Sequence, residues 1–139
     1  MTDPLDEAEV RQRIAGSPYH RWAGTELVTY QPGVVTIAAE IEEHHHNPQG
    51  IVHGGVLAGL LDTACGLALR SLLPADRTHR TVQLSINYLK AARSGRITAT
   101  GRAVHKGRSM GVAEAEARDD RDRVLARATA TFMTLPAAR

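Results

Sequence analysis

One long apolar segment constrains the fold of this chain more than any other feature. It runs from Val56 to Leu73 and is followed by Pro74. Its apolar residues fall on nearly every side of a helical wheel, and proline ends a helix because it has no N–H to donate. A helix that is apolar on nearly all sides is a buried helix. The rest of the chain must therefore provide its cover.

The segments before and after this helix have the pattern of β-strands. Alternating or β-branched residues occupy positions 27–30, 34–41, 80–89, 96–105, 109–118 and 123–133. Short turn-like stretches separate neighbouring strands, which favours antiparallel pairing. The apolar positions of the third strand, which are Val82, Leu84, Ile86 and Tyr88, are expected to face the core. With a short helical pattern at residues 6–15, the sequence predicts an α+β fold.

Size and composition predict a single domain. The 139 residues can bury one sizeable core but not two, so residues 1–139 are expected to form one domain with a leader helix at 1–17. Apolar residues make up 42% of the chain and charged residues 23%, which argues against disorder. The net charge of +2 is spread along the chain, so no nucleic-acid partner is expected.

The sequence carries no sign of export or of a membrane partner. No apolar run reaches the roughly 18 residues that a spanning helix needs, and the acidic start at residues 1–9 lacks the parts of a signal peptide. A cytoplasmic location is therefore expected. The single cysteine, Cys65, lies in the apolar helix and is interpreted as a small core residue.

A stripe of glycines marks one side of the long helix. At 100° per residue, Gly55, Gly59, Asp62 and Gly66 fall together on the side opposite the leucines. Glycine costs up to about 1 kcal/mol per position in a helix interior, so the stripe indicates close approach of another backbone or a ligand. Asp62 is either a core aspartate satisfied by a neighbour or a functional group, because an unpaired buried carboxylate is costly.

The start of the helix favours the functional interpretation. Gly54 and Gly55 lie in the first turn, where N–H groups have no partner within the helix and the helix dipole favours negative charge. Such donors can hold a developing oxyanion. Asn47 and His53 add polar groups just upstream. Together with Asp62 they indicate attack of water on a carbonyl, by general-base help or through a transient anhydride.

These residues carry a resemblance to a known family. The segment Asn47-Pro-Gln-Gly-Ile-Val-His-Gly-Gly55, followed by Leu61-Asp62, resembles the active-site motif of hotdog-fold thioesterases of the phenylacetate-pathway and 4-hydroxybenzoyl-CoA type. The likeness extends from about Pro18 to Phe132. It implies an antiparallel sheet wrapped around one long helix, hydrolysis of acyl-CoA, and homodimers that share active sites and pair into homotetramers. Coenzyme A is then part of the substrate, and no cofactor is implied.

The same resemblance implies roles for individual residues. Asp62 matches the general base or nucleophile, and the Gly54 N–H from the facing subunit matches the group that polarises the thioester carbonyl. His53 and Asn47 match residues that orient the carbonyl or the water, and Thr81 matches a hydroxyl that helps to place the water. Residues implied in substrate binding are Gly55, Tyr88 and a basic turn at the phosphate end of CoA formed by Lys106, Gly107, Arg108 and Ser109.

Two alternatives to hydrolysis stay open. Hotdog hydratases and dehydratases act on similar thioesters but use a differently spaced histidine and carboxylate, so the spacing of Asp62 from Gly54 favours hydrolysis. Non-catalytic acyl-CoA-binding modules usually lack the helix carboxylate. The consecutive histidines 44–46 cannot all face one metal, and no second cluster with zinc-site spacing follows, so no metal site is expected.

Overall fold

The computed structural model describes residues 2–138, which form three α-helices and six strands. The helices are α1 (Glu7–Gly16), α2 (Pro18–Ala23) and α3 (Gly54–Arg70), with a 3-10 turn at Glu43–His45, and the strands are β1 (Glu26–Gln31), β2 (Val34–Glu40), β3 (Arg77–Tyr88), β4 (Arg96–Lys106), β5 (Met110–Arg118) and β6 (Val124–Pro136).

All six strands belong to one antiparallel sheet, whose order is β1-β2-β4-β5-β6-β3. Helix α3 packs on the inner face of this sheet and contacts five of the strands, β2 to β6. The inner positions of β5 and β6 are mostly small, and the buried alanines there are Ala113, Ala115, Ala117, Ala126, Ala128 and Ala130. The predicted α+β architecture, an antiparallel sheet around one long buried helix, is confirmed.

Helix α3 and the sheet approach each other closely at Gly101 in β4. A side-chain carbon placed on Gly101 would overlap the backbone carbonyl of Ala64 in the middle of α3. Ala64 itself is fully buried. Only glycine therefore fits at this position, and the contact fixes how close α3 lies to the sheet.

Helix α3 begins at Gly54 and ends at Arg70, which shifts it from the predicted bounds of Val56 and Leu73. It begins earlier because His53 caps it, accepting the Gly55 N–H at Nδ1 over 2.7 Å. It ends earlier because the chain tightens into a turn, in which the Leu72 and Leu73 N–H groups bond to carbonyl oxygens three residues back. The Arg70 guanidinium then donates to the carbonyl oxygens of Leu73 and Pro74 in this turn and of Arg77 at the start of β3.

A second short helix, α2, lies where the sequence predicts only the end of the leader helix. The Ser17 hydroxyl accepts the His20 N–H at 3.4 Å, and Pro18 occupies the first helical turn. Proline is well suited to that position because its fixed φ matches a helix and its missing N–H has no partner there. Pro18 therefore starts a helix in addition to ending the one before it.

Strand β3 forms one edge of the sheet. The prediction that all four of its apolar residues face the core is wrong for two of them. Leu84 and Ile86 are partly buried against the core, as expected. Val82, however, is 51% exposed, and Tyr88 is 53% exposed. The register with β6 shifts between Thr81 and Gln83. A bulge of this kind breaks the two-residue alternation at Val82. Tyr88 keeps the alternation with Leu84 and Ile86 but lies at the end of the strand, where its hydroxyl reaches the Gly54 oxygen.

We expect Gly101→Ala to lower the free energy of unfolding by about 3 kcal/mol, because the added methyl group must push α3 away from β4. Urea unfolding at fixed protein concentration measures the change. Gly16→Ala is the matched control, since an added carbon there meets no other atom within 4 Å. Equal midpoints for the two variants would mean that the contact with Ala64 does not hold the helix in place.

Candidate active site

The glycine stripe of α3 is covered by side chains from α2 and β3. A carbon added to Gly59 would overlap the hydroxyl of Tyr19, and one added to Gly66 would lie 2.8 Å from Nε2 of His79. Asp62 lies between these two glycines and is partly buried. The close approach that the glycines predict is therefore made by aromatic and imidazole side chains of the same chain.

The carboxylate of Asp62 is held by one hydrogen bond. The Thr81 hydroxyl donates to Asp62 Oδ1 over 2.8 Å. Within residues 2–138 the other oxygen, Oδ2, has no hydrogen-bond partner. Thr81 thus fixes the orientation of the carboxylate and leaves one oxygen able to accept a proton or attack a carbonyl.

The start of α3 presents one free backbone donor. The Gly55 N–H is occupied by His53 Nδ1, whereas the Gly54 N–H meets no acceptor among the described residues. The Tyr88 hydroxyl donates to the Gly54 carbonyl oxygen over 2.8 Å. Because the helix dipole is positive at this end, the free Gly54 N–H is suited to a developing negative charge.

The upstream residues shape the loop that leads into α3. Asn47 Oδ1 accepts the N–H groups of Gln49 at 2.9 Å and Ile51 at 3.3 Å, so its side-chain oxygen is used within the loop. His53 accepts at Nδ1, and its neutral ring therefore carries the proton on Nε2. The Nε2–H of His53 and the side-chain amide of Asn47 meet no acceptor among the described residues.

One protomer does not bring all of the predicted site residues together. Gly54 and Asp62 are eight residues apart in α3, which is about 12 Å along the helix axis. The basic turn lies elsewhere: the Arg108 and Ser109 carbonyl oxygens accept from Thr134 of β6. No hydrogen bond within residues 2–138 joins that turn to Asp62 or Gly54.

Tyr19 and His79 are parts of the site that the sequence did not predict. Burial, and then the charge of Asp62, raises the pKa of Tyr19, so its phenol keeps its proton. Burial, and then the charge of Arg70, lowers the pKa of His79 to about 4, so its ring is neutral at physiological pH. A signal for His79 was present, because it precedes Thr81 by two residues and a strand places such positions on one face.

The three consecutive histidines each bind a different backbone carbonyl. Nε2 of His44 lies 2.8 Å from the Trp22 oxygen, that of His45 lies 2.9 Å from the Ala23 oxygen, and that of His46 lies 2.7 Å from the Arg93 oxygen. The part of the chain that the structure describes contains no cluster of three metal-ligating side chains.

Two further features concern the core and the helices. Cys65 is fully buried, and burial raises the pKa of its thiol to about 12, as suits a core residue. No helix within residues 2–138 is both long and apolar enough to cross a bilayer.

Comparison with known proteins identifies relatives over most of the chain. Residues 49–126 match the family described as the thioesterase superfamily. The chain is 30% identical over 131 residues to the medium/long-chain acyl-CoA thioesterase YigI of Escherichia coli, with 84% of each protein covered. It is 29% identical over 102 residues to the 1,4-dihydroxy-2-naphthoyl-CoA hydrolase of Listeria monocytogenes, covering 73% of this chain and 83% of that protein. A solved thioesterase family protein from Silicibacter pomeroyi has a TM-score of 0.87 at 32% identity, covering 93% of this chain and 97% of that one.

The neutral His79 makes stability depend on pH in a defined window. In the unfolded chain His79 has the ordinary imidazole pKa of 6.5, whereas in the folded chain burial lowers this pKa to about 4. This difference in pKa contributes on the order of 2 kcal/mol to the free energy of unfolding. The contribution is fully present above pH 6.5 and is lost as the pH falls towards 4. The urea midpoint of unfolding should fall less between neutral and acidic pH for His79→Asn than for the wild type. The exposed His105→Asn is the control, and an equal loss in all three proteins would contradict the assignment.

Proposed function

Since the chain belongs to the thioesterase superfamily, we propose that it hydrolyses acyl-CoA thioesters to a free acid and coenzyme A, with Asp62 as the catalytic carboxylate. The hydrogen bond from Thr81 to Asp62 carries this proposal. It leaves the second carboxylate oxygen without a partner among residues 2–138, on a helix face where the neighbouring positions are glycine. Asp62 is only partly buried, so this oxygen is accessible to water and to a substrate carbonyl.

The reaction needs little beyond this carboxylate and a donor for the oxyanion. As a general base, Asp62 removes a proton from water, the water oxygen attacks the thioester carbon, and the C–S bond breaks as the thiolate takes up the proton. As a nucleophile, Asp62 attacks the thioester carbon, the C–S bond breaks and the CoA thiolate leaves; water then hydrolyses the mixed anhydride, which releases the acid and restores the carboxylate. In both cases the carbonyl oxygen becomes negative and is stabilised by the Gly54 N–H. His53 and Asn47 have free donors that can orient the carbonyl or the water.

The distance between Gly54 and Asp62 supports a site shared by two subunits. An oxyanion donor must lie about 3 Å from the carbonyl oxygen, and the base must reach the attacking water at the same carbon. Two groups about 12 Å apart on one rigid helix cannot meet this requirement. In a two-fold dimer with antiparallel copies of α3, Gly54 of one protomer faces Asp62 of the other, and two equivalent sites result.

Strand β3 is the edge through which such a dimer would form. It is twelve residues long and has a neighbour on one side only, β6. Its exposed apolar residues include Val82 and Tyr88. Long edges of this kind are normally protected against uncontrolled pairing, and pairing with a second copy provides that protection. Further pairing of dimers into tetramers belongs to the same proposal.

We propose that the coenzyme A part of the substrate binds at the turn between β4 and β5 and at the end of β3. Lys106 and Arg108 are exposed in the turn between β4 and β5, next to Gly107 and Ser109, and can attract phosphates. Tyr88 holds the Gly54 peptide in place through its bond to the Gly54 oxygen. Gly55 leaves the mouth of the site without a side chain.

We expect Asp62→Asn to lower kcat by at least about 100-fold, because the amide has nearly the same shape but is neither basic nor nucleophilic. Release of free thiol from a panel of aryl, medium-chain and long-chain acyl-CoAs measures the change. Asp120→Asn in the exposed turn before β6 is the control for the same chemical replacement. Turnover close to wild type in a pure Asp62→Asn preparation would remove Asp62 from the mechanism.

Mixed dimers test the shared site. Gly54→Pro removes the backbone N–H but is compatible with the first position of a helix, and His53 already has the extended backbone that precedes a proline. Neither Gly54→Pro nor Asp62→Asn should be active alone. If subunits exchange freely in an equal mixture, half of the dimers are hybrids with one intact site each, which restores about a quarter of wild-type activity.

The matched control for this experiment is Gly54→Ala, which adds a side-chain carbon at the same place but keeps the N–H. It should retain most of the activity that Gly54→Pro loses. If mass spectrometry demonstrates hybrid dimers and the mixture is nevertheless inactive, the two groups do not act across the interface.

A further inference from the structure

Two side chains of the same protomer close the glycine stripe of α3 on either side of Asp62. Tyr19 covers Gly59, three residues before Asp62, and His79 covers Gly66, four residues after it. Along the helix axis these glycines lie about 4.5 and 6 Å from Asp62. An acyl group that follows the helix away from the carboxylate therefore meets one of these two side chains within about one helical turn.

His79 closes its side of the stripe with a buried contact. A side-chain carbon at Gly66, which is buried, would lie only 2.8 Å from Nε2 of His79. The imidazole ring packs edge-on against the buried Phe132, with the ring centres 5.3 Å apart. A densely packed interior offers no space into which such a ring can move. The stripe is therefore closed beyond Gly66.

Tyr19 closes the other side with a ring that is still partly in solvent. Its side chain is 46% exposed. Within residues 2–138 its hydroxyl forms no hydrogen bond, whereas the hydroxyls of Tyr30 and Tyr88 both donate to backbone carbonyl oxygens. Exposed side chains that are held by packing alone change rotamer rapidly. Of the two side chains over the stripe, Tyr19 is thus the one that can change the space available beside Asp62.

The tip of the Tyr19 ring lies against the helix backbone next to the carboxylate. A side-chain carbon at Gly59 would overlap the Tyr19 hydroxyl, so the phenol fills the space of the missing side chain. The charge of Asp62 contributes, after burial, to raising the pKa of Tyr19, which places the hydroxyl near the carboxylate. No hydrogen bond within residues 2–138 joins these two groups. Tyr19 is a wall beside Asp62 and is not its partner.

The backbone of Tyr19 is fixed although its side chain is not. Helix α2 is anchored at its end, where His44 and His45 bind the carbonyl oxygens of Trp22 and Ala23 over 2.8 and 2.9 Å. A ring that starts from a fixed backbone covers one defined part of the stripe. The extent of that cover depends on the size of the side chain at position 19.

We propose that Tyr19 is a specificity-determining residue that limits the acyl group to short chains, because its ring occupies the space over Gly59. The inference rests on the proposed function, since it assumes that the thioester carbonyl lies at Asp62. A short acyl group ends beside the ring. A longer one has to displace the ring or extend into water, and it then loses the apolar contact that would stabilise its transition state.

The experiment measures kcat/KM by thiol release for acetyl-, butanoyl-, hexanoyl-, octanoyl- and decanoyl-CoA. We expect the wild type to prefer butanoyl-CoA to decanoyl-CoA by at least about tenfold, and Tyr19→Ala to lower this ratio by at least about tenfold, because small changes in the volume of an apolar pocket discriminate on this scale. Tyr19→Phe keeps the ring and should keep most of the preference. A wild type that prefers decanoyl-CoA would contradict the inference.

A second variant refills the same space from the helix. In the double variant Tyr19→Ala, Gly59→Leu, the leucine side chain starts where the phenol hydroxyl lay, and it should restore the preference for short chains. Circular dichroism and the urea midpoint show whether this protein is folded. If the folded double variant keeps the broad range of Tyr19→Ala, the volume over Gly59 does not set the length limit, and the inference fails.

The position of the ring is tested by stability alone. Alanine is favoured over glycine in a helix interior, so Gly59→Ala should raise the urea midpoint unless another group occupies the space. The rise should be larger in the Tyr19→Ala background than in the wild type, because the hydroxyl is then absent. Equal rises in both backgrounds would mean that Tyr19 does not cover Gly59, which overturns the inference.

The length profiles also separate this inference from the proposed function. Hydrolysis with the same length profile in the wild type and in folded Tyr19→Ala overturns the role of Tyr19 and leaves the proposed function intact. If neither protein releases thiol from any acyl-CoA of the panel, the proposed function fails, and the inference fails with it.

Discussion

The contact between α3 and the sheet is the constraint on which the rest of this structure depends. Gly101 of β4 meets the Ala64 backbone, and buried alanines occupy the inner positions of β5 and β6. This close packing commits one side of α3 to the core, so the opposite side, with its glycines and Asp62, can accept neighbours from α2 and β3. A single helix thus provides both the core of the molecule and the floor of its candidate site.

Most of the architecture could be predicted from the sequence because it follows from periodicity. The burial of α3, the antiparallel strands and the close approach at the glycine stripe are properties of hydrophobic pattern and residue size. The resemblance to thioesterases is confirmed by the family match over residues 49–126. The exposed Val82 could not be predicted, because a bulge depends on how β3 pairs with β6. Helix α2 was missed because Pro18 both ends one helix and starts the next.

The candidate site was predictable only in part, because half of it depends on tertiary contacts. Asp62 and Gly54 follow from their places on one helix, and Thr81 followed from the family resemblance. Tyr19 lies far from α3 in sequence, and no local pattern connects it to a particular glycine, whereas His79 could have been found from its place two residues before Thr81 on the same strand. The satisfied state of Asn47 and the unsatisfied state of Arg70 Nε are properties of the folded chain. Residue types indicate the chemistry, whereas hydrogen-bond partners show which atoms remain free for it.

The bonds of the consecutive histidines couple two parts of the molecule mechanically. His44 and His45 bind the carbonyl oxygens of Trp22 and Ala23, at the end of the helix that carries Tyr19. The same loop continues to His53, the cap of α3, and the His53 N–H donates to the His45 oxygen at 2.9 Å. Helix α2 and the start of α3 are therefore joined through one short loop, and a displacement of α2 is transmitted to the Gly54 peptide. The Tyr19 side chain over Gly59 and the Gly54 peptide are thus positioned through the same loop.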